Sequence, residues 1–189
     1  MTISATPCNK IKKLSLNNFA KNVNNTYTKI HEKGFFAMTL TQKENSLLTD
    51  LKGQEQLCIE KYSMYSERAC DPELKTLFNQ IKSTEENHLT TINRIINGEE
   101  VKMQAPPPTA VSAKLECQPS TCPPDKKAND AFLCKDALAM EKHVSSIYDT
   151  SIFEFSSPTL RDTLNHIQKE EQNHGEQIYQ YMSKNGMYN

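Results

Sequence analysis

Glu55, Glu85 and His88 recur eighty-six positions later as Glu141, Glu171 and His174, with every internal spacing kept and no gap. Sliding residues 51–98 over 137–184 also pairs Tyr62 with Tyr148, Pro72 with Pro158, Leu74 with Leu160, Asn79 with Asn165, Ile81 with Ile167, Asn87 with Asn173 and Ile92 with Ile178. A duplicated unit must satisfy its apolar pattern twice, while its polar positions are free to drift. Coincident Glu, Glu and His therefore predict one shared task for these side chains, carried on a duplicated helical hairpin.

The local signals agree with that reading. Thr41-x-x-Glu44 is a capping-box signature, so a first helix is expected from about Thr41 to Ala69. Asp71 then offers an N-cap oxygen and Pro72 a pre-set first helical dihedral. Leu74, Leu77, Phe78, Ile81, Glu85, His88, Leu89, Ile92, Ile95 and Ile96 form one stripe of a second helix, closed by Asn97-Gly98. A third helix, capped by Asn129 or Asp130, is expected to carry Phe132, Leu133, Leu138, Glu141, Val144, Ile147 and Tyr148 inward. Ser157-Pro158 repeats the Asp71-Pro72 turn, and a fourth helix runs to Asn185-Gly186.

Between the hairpins, residues 99–128 contain Pro106, Pro107, Pro108, Pro119, Pro123 and Pro124, which forbid a continuous helix. Thirty extended residues reach roughly 100 Å, against about 39 Å for a 26-residue helix, so the linker is long enough to cross the whole bundle. The predicted fold is all-α: two antiparallel hairpins, 41–98 and 129–189, joined by a long crossover into one four-helix domain of ferritin-like connectivity. Residues 1–40 form a basic, Asn-rich tail, with Lys10, Lys12, Lys13, Lys21, Lys29 and Lys33 against Glu32.

Composition narrows the partners. A net charge of −1 predicts neither a nucleic acid nor an acidic membrane as the main partner. No apolar stretch is long enough for a signal peptide or a membrane span, so neither is expected and synthesis is assigned to the cytoplasm. Cys58, Cys70 and Cys134 are assigned to helices, and Cys8, Cys117 and Cys122 to the tail and linker. They are read as free thiols or late cross-links. Cys117 and Cys122 lack the second pair or nearby His that a zinc site requires.

Residues three apart share a helix face, so Glu85-x-x-His88 and Glu171-x-x-His174 each aim a carboxylate and an imidazole at one spot. Glu55 and Glu141 add one carboxylate from each remaining helix. Two single Glu plus two Glu-x-x-His is the ligand set of dinuclear carboxylate bundles. The expected metal ligands are therefore Glu55, Glu85, His88, Glu141, Glu171 and His174, holding two iron or manganese ions, with zinc as a further candidate. Four facing carboxylates in an apolar bundle would otherwise repel one another. Tyr62 and Tyr148, two turns after Glu55 and Glu141, are read either as hydrogen-bond donors to the ligand carboxylates or as core aromatics. His31, His143 and His166 have no repeat partner and are assigned to the surface.

The second hairpin, with DAFLCKDALAMEKHVSSIYDTSIFEF, LNHIQKEEQNHG and YQYMSKNGMYN, resembles the bacterial spore coat F family, a ferritin-like group of endospore formers. The first, LTDLKGQEQLCIEKYSMYSERACDPELKTLFNQIKSTEENHL, resembles a rubrerythrin-type hairpin, with Glu55, Glu85 and His88 at that group's ligand positions. A further carboxylate that rubrerythrins carry on the third helix falls here at Val144. The resemblance implies a spore coat protein with a ferritin-like di-iron or di-manganese domain, located in the coat among other coat proteins, with a homo-oligomer left open. The alternative it implies is a di-metal oxidoreductase consuming peroxide or oxygen, in the manner of rubrerythrin or manganese catalase. No catalytic residue is assigned.

Overall fold

The computed structural model describes residues 39–99, 101 and 120–188. The expected basic tail up to residue 38, with His31 and Cys8, lies outside these residues, as do Cys117 and most of the linker. The described residues form four helices: α1 Gln42–Arg68, α2 Pro72–Ile96, α3 Pro124–Ile152 and α4 Pro158–Lys184.

Three of the four helix starts follow the chemistry read from the sequence. Thr41 Oγ1 accepts from the Glu44 amide at 3.2 Å while Glu44 Oε2 accepts from the Thr41 amide at 2.7 Å, a complete capping box. Asp71 accepts from the Glu73 amide at 2.9 Å and Ser157 from the Leu160 amide at 3.4 Å, each directly before a proline. Helices α2 and α4 end at Asn97-Gly98 and Asn185-Gly186, where the glycines take φ of 78° and 64°. That left-handed turn is cheap only without a Cβ.

Helix α3 corrects the expectation. It begins at Pro124, with Pro123 as an N-cap that makes no side-chain bond, instead of at Asn129 or Asp130. Proline is a breaker inside a helix, but at the first position its missing N–H costs nothing and its φ is already helical. The linker thus ends several residues earlier than predicted. Phe132, expected inward, is 67% exposed, and Leu138 and Ile147 are only partly buried.

Cross-helix contacts fix the directions. Helix α1 packs on α2 and α3 on α4, with α1 also against α3 and α2 against α4. Along α1 and α3 the pairs Lys43–Glu154, Tyr148–Glu55, Tyr62–Glu141 and Tyr65–Asp136 run antiparallel. Along α2 and α4, His88 meets Glu171 and Glu85 meets His174, again antiparallel. Helices α2 and α3 therefore point the same way, so the end of α2 and the start of α3 lie at opposite ends of the bundle. Residues 101 and 120 agree. Thr163, near the start of α4, donates to the Val101 carbonyl at 3.4 Å, and the Ser120 amide donates to Asn185 Oδ1 at 2.8 Å just past the end of α4.

Two buried acids clamp each hairpin to the other. Glu44 Oε1 accepts from the Ser156 amide at 2.9 Å and its hydroxyl at 3.0 Å, holding the α3–α4 turn. Asp130 accepts from the Cys70 and Asp71 amides at 2.8 and 3.0 Å, holding the α1–α2 turn. Glu44 and Asp130 are themselves eighty-six residues apart, as are Cys70 and Ser156. The duplication therefore includes its inter-hairpin clamps. Cys70 lies in this turn and not in a helix, and it forms a disulfide with Cys122, the Cα atoms being 6.4 Å apart. The parallel course of α2 and α3 brings the end of the crossover to this turn, which no local spacing announces. Cys58 and Cys134 are buried free thiols.

Apolar layers fill the bundle on either side of its middle. Leu48, Leu51, Ile92, Ile152 and Leu160 pack toward one end, and Tyr65, Leu74, Phe78, Cys134 and Met182 toward the other. Tyr62, Tyr65 and Phe78 meet with ring centroids 5.5–5.9 Å apart. Between the two layers, buried charge replaces carbon.

Candidate metal centre

All six predicted ligands meet at the middle of the bundle. Glu55 and Glu85 are 0% exposed, Glu171 1%, His88 and Glu141 2%, and His174 4%. Each helix contributes at a buried position of its stripe: Glu55 from α1, Glu85 and His88 from α2, Glu141 from α3, Glu171 and His174 from α4.

Their oxygen and nitrogen atoms sort into two quartets, Glu55, Glu85, His88 and Glu171, and Glu85, Glu141, Glu171 and His174, with ligand atoms within 4.8 Å of one another in each. Glu85 and Glu171 belong to both. His88 Nδ1 lies 3.1 Å from Glu171 Oε1, 3.2 Å from Glu85 Oε2 and 3.5 Å from Glu55 Oε2. His174 Nδ1 lies 3.0 Å from Glu85 Oε1, 3.5 Å from Glu141 Oε2 and 3.8 Å from Glu171 Oε2. Two atoms bound to one ion at about 2.1 Å and at angles between octahedral and tetrahedral stand about 3.0–3.4 Å apart; the 3.1, 3.2 and 3.0 Å separations suit a shared cation, and the 3.5 and 3.8 Å separations are wider.

Hydrogen bonding leaves the same atoms over. Among the described residues, the buried side-chain atoms without a hydrogen-bond partner are Glu55 Oε2, Glu85 Oε1, Glu141 Oε2, both oxygens of Glu171, and His174 Nδ1. Native interiors satisfy nearly all such groups, so six orphans around one point need a common explanation. A cation among these lone pairs would satisfy them together.

The outward-facing oxygens are held. Tyr62 donates to Glu141 Oε1 and Tyr148 to Glu55 Oε1, each tyrosine reaching from one hairpin to the ligand on the other. Both phenols are fully buried, so the two readings offered for them hold together: each is a core aromatic and a donor to a ligand carboxylate. One oxygen of each terminal carboxylate is thereby fixed, and the other is free to bind.

Electrostatics express the same crowding. Burial pushes the Glu55 and Glu141 carboxyls up to about 8, with neighbouring Glu171 adding to it, against the pull of His88 and His174. Burial also raises Glu85, but its contacts with His174 and His88 outweigh it and hold this carboxyl at about 2. Glu171 is lowered for the same reason. Burial disfavours charge on both imidazoles, yet the surrounding carboxylates drive both well above the usual histidine range. Protons thus neutralise the four carboxylates where divalent cations otherwise would.

Glu170 escaped the sequence reading. Its Oε2 lies 2.9 Å from His88 Nε2 and 3.5 Å from His166 Nε2. Burial raises the Glu170 carboxyl, but the His88 contact prevails and lowers it. The repeat hid it, because its equivalent in the first hairpin is Thr84. His166, expected at the surface, is accordingly half-buried, whereas His143 is exposed as expected.

Among protein families, the Coat F domain matches residues 129–189, which hold most of α3 and all of α4. No curated protein and no solved structure matches the chain. No helix among the described residues is long and apolar enough to cross a membrane.

Proposed function

We propose that this chain is a spore coat protein whose bundle, of ferritin-like connectivity, binds two divalent metal ions. Glu55, Glu85, His88 and Glu171 would hold one ion and Glu85, Glu141, Glu171 and His174 the other. The Coat F match over the second hairpin supports the location and, with it, other coat proteins as partners. The metal reading rests on the convergence of six unpartnered buried atoms from all four helices. Oxygen-rich ligation with one nitrogen per ion suits iron or manganese, and zinc competes on raw affinity. When bound, the ions supply charge neutralisation and Lewis acidity. The oxidoreductase alternative has no supporting observation of its own, so the centre is proposed as a binding site.

Elemental analysis after mild purification tests this reading. Two iron or manganese ions per chain are expected, falling in His88→Ala and in Glu171→Gln. A chain that takes up no metal even after reconstitution with Fe²⁺ and Mn²⁺ contradicts it. Location is tested separately by following the chain through purified spores and their extracted coats.

A further inference from the structure

We propose that Glu170 makes the two ion positions unequal, so that the position at His88 fills first and holds its ion more tightly than the position at His174. The inference rests on the dinuclear reading above and assigns a positioning role to a residue outside the six ligands.

The duplication makes the asymmetry visible. The six ligands and the two tyrosine donors obey the repeat, and so do the Glu44 and Asp130 clamps. The outer partner of the histidine does not. His88 on α2 meets Glu170 of α4 through Nε2 at 2.9 Å. The equivalent partner for His174 on α4 is position 84 of α2, and that residue is Thr84, whose hydroxyl donates back to the Gln80 carbonyl at 3.4 Å. Among the described residues, His174 Nε2 makes no hydrogen bond or ion pair. Thr84, Glu170 and His174 together line a surface cleft of about 220 Å³.

A carboxylate on the far nitrogen does two things to a ligand histidine. It fixes the tautomer with the proton on Nε2, leaving the Nδ1 lone pair toward the ion, and it makes the imidazole a stronger donor. His88 has both advantages, and its ring is held against rotation from both sides. His174 has neither, and it borders a cleft from which water and ions can approach. Removing such an outer partner typically costs 10–100-fold in metal affinity, which sets the expected gap between the two steps.

The test is a Mn²⁺ titration of the full metal-free chain, followed by calorimetry and by electron paramagnetic resonance. Wild type is expected to bind two equivalents in steps separated about 10–100-fold, with the spectrum of isolated Mn²⁺ at one equivalent and of a coupled pair at two. Glu170→Leu, at a partly exposed position, should weaken the first step by that factor and merge the two, giving coupled pairs already at one equivalent. Thr84→Glu should supply the missing carboxylate to His174 and merge the steps from the other direction, by tightening the second. Circular dichroism checks that each variant keeps its helices. Two equal steps in wild type, or separated steps that Glu170→Leu leaves unchanged, overturn the inference while the dinuclear reading stands. Absence of Mn²⁺ binding in wild type overturns both.

Discussion

Stripping metal from this bundle should cost it several kcal/mol, and more at high pH than at low. Leaving a buried polar atom unsatisfied costs about 1–3 kcal/mol; Glu85 Oε1 and His174 Nδ1 lie 3.0 Å apart and satisfy each other in part, so the remaining four of the six atoms at the lower figure give about 4 kcal/mol. The carboxyls give a second scale. Glu55 and Glu141 are raised from 4.5 to about 8, and at about 1.4 kcal/mol per pKa unit ionising either one without a cation costs about 5 kcal/mol. The two scales describe one strain and are not summed.

The sign follows from the protons. Between pH 4.5 and 8 the metal-free native state holds protons on Glu55 and Glu141 that the unfolded chain has released, so stability falls as pH rises. His88 and His174, raised above 6.5, contribute stability that is complete below 6.5 and is lost as pH climbs through their elevated values, the same direction. Glu85, held at about 2, contributes stability that is complete above 4.5 and constant across this window. A loss of about 5 kcal/mol in a chain of this size corresponds to a melting shift of roughly 10–20 °C. Scanning calorimetry with chelator and with saturating Mn²⁺, at pH 6 and pH 8, should show a shift of this order that is larger at pH 8. Melting curves that coincide at both pH values, or a shift larger at pH 6, refute the reasoning.

Asp130→Ala strands the Cys70 and Asp71 amides in a buried turn, and urea denaturation should find it about 2–5 kcal/mol less stable than wild type. Three bonds to the Glu44 carboxylate, from the Ser156 amide and hydroxyl and the Thr41 amide, hold it at about 2 despite burial; a depressed carboxyl contributes stability present above pH 4.5 and lost as pH falls toward 2. The stability gap between wild type and Glu44→Gln should therefore narrow from pH 7 to pH 2.5, and a constant gap contradicts the assignment. Reducing Cys70–Cys122, which closes a loop across a separation of 52 residues, should cost up to about 4 kcal/mol by the chain-entropy account. Denaturation with and without a phosphine reductant measures it, with Cys122→Ser as the matched control.

Some of this molecule was legible from spacing and some was not, and the division has a pattern. The repeat, the Asp71-Pro72 and Ser157-Pro158 starts and the Asn-Gly stops are local signals, and the helices obey them. The start of α3 departs from the sequence expectation because Pro123-Pro124 is ambiguous in sequence, a breaker inside a helix and an initiator at its first turn. The apolar character of Phe132 points inward, yet a helix face is decided by what packs against it, and among the described residues Phe132 stays 67% exposed. The clamps by Glu44 and Asp130 were within reach of the sequence, since the same offset of eighty-six extended a few residues upstream pairs them.

By itself, then, the chain determined which side chains share a helical stripe and that the stripe occurs twice, because helical periodicity and capping act over a few residues. Tertiary structure decided what those stripes meet. Antiparallel packing of α1 on α3 and of α2 on α4 brings Tyr62 to Glu141, Glu170 to His88 and Cys122 to Cys70, across separations of 79, 82 and 52 residues. Contacts at that range depend on the direction in which the crossover returns the chain. That direction is a property of the packed bundle and of no single segment.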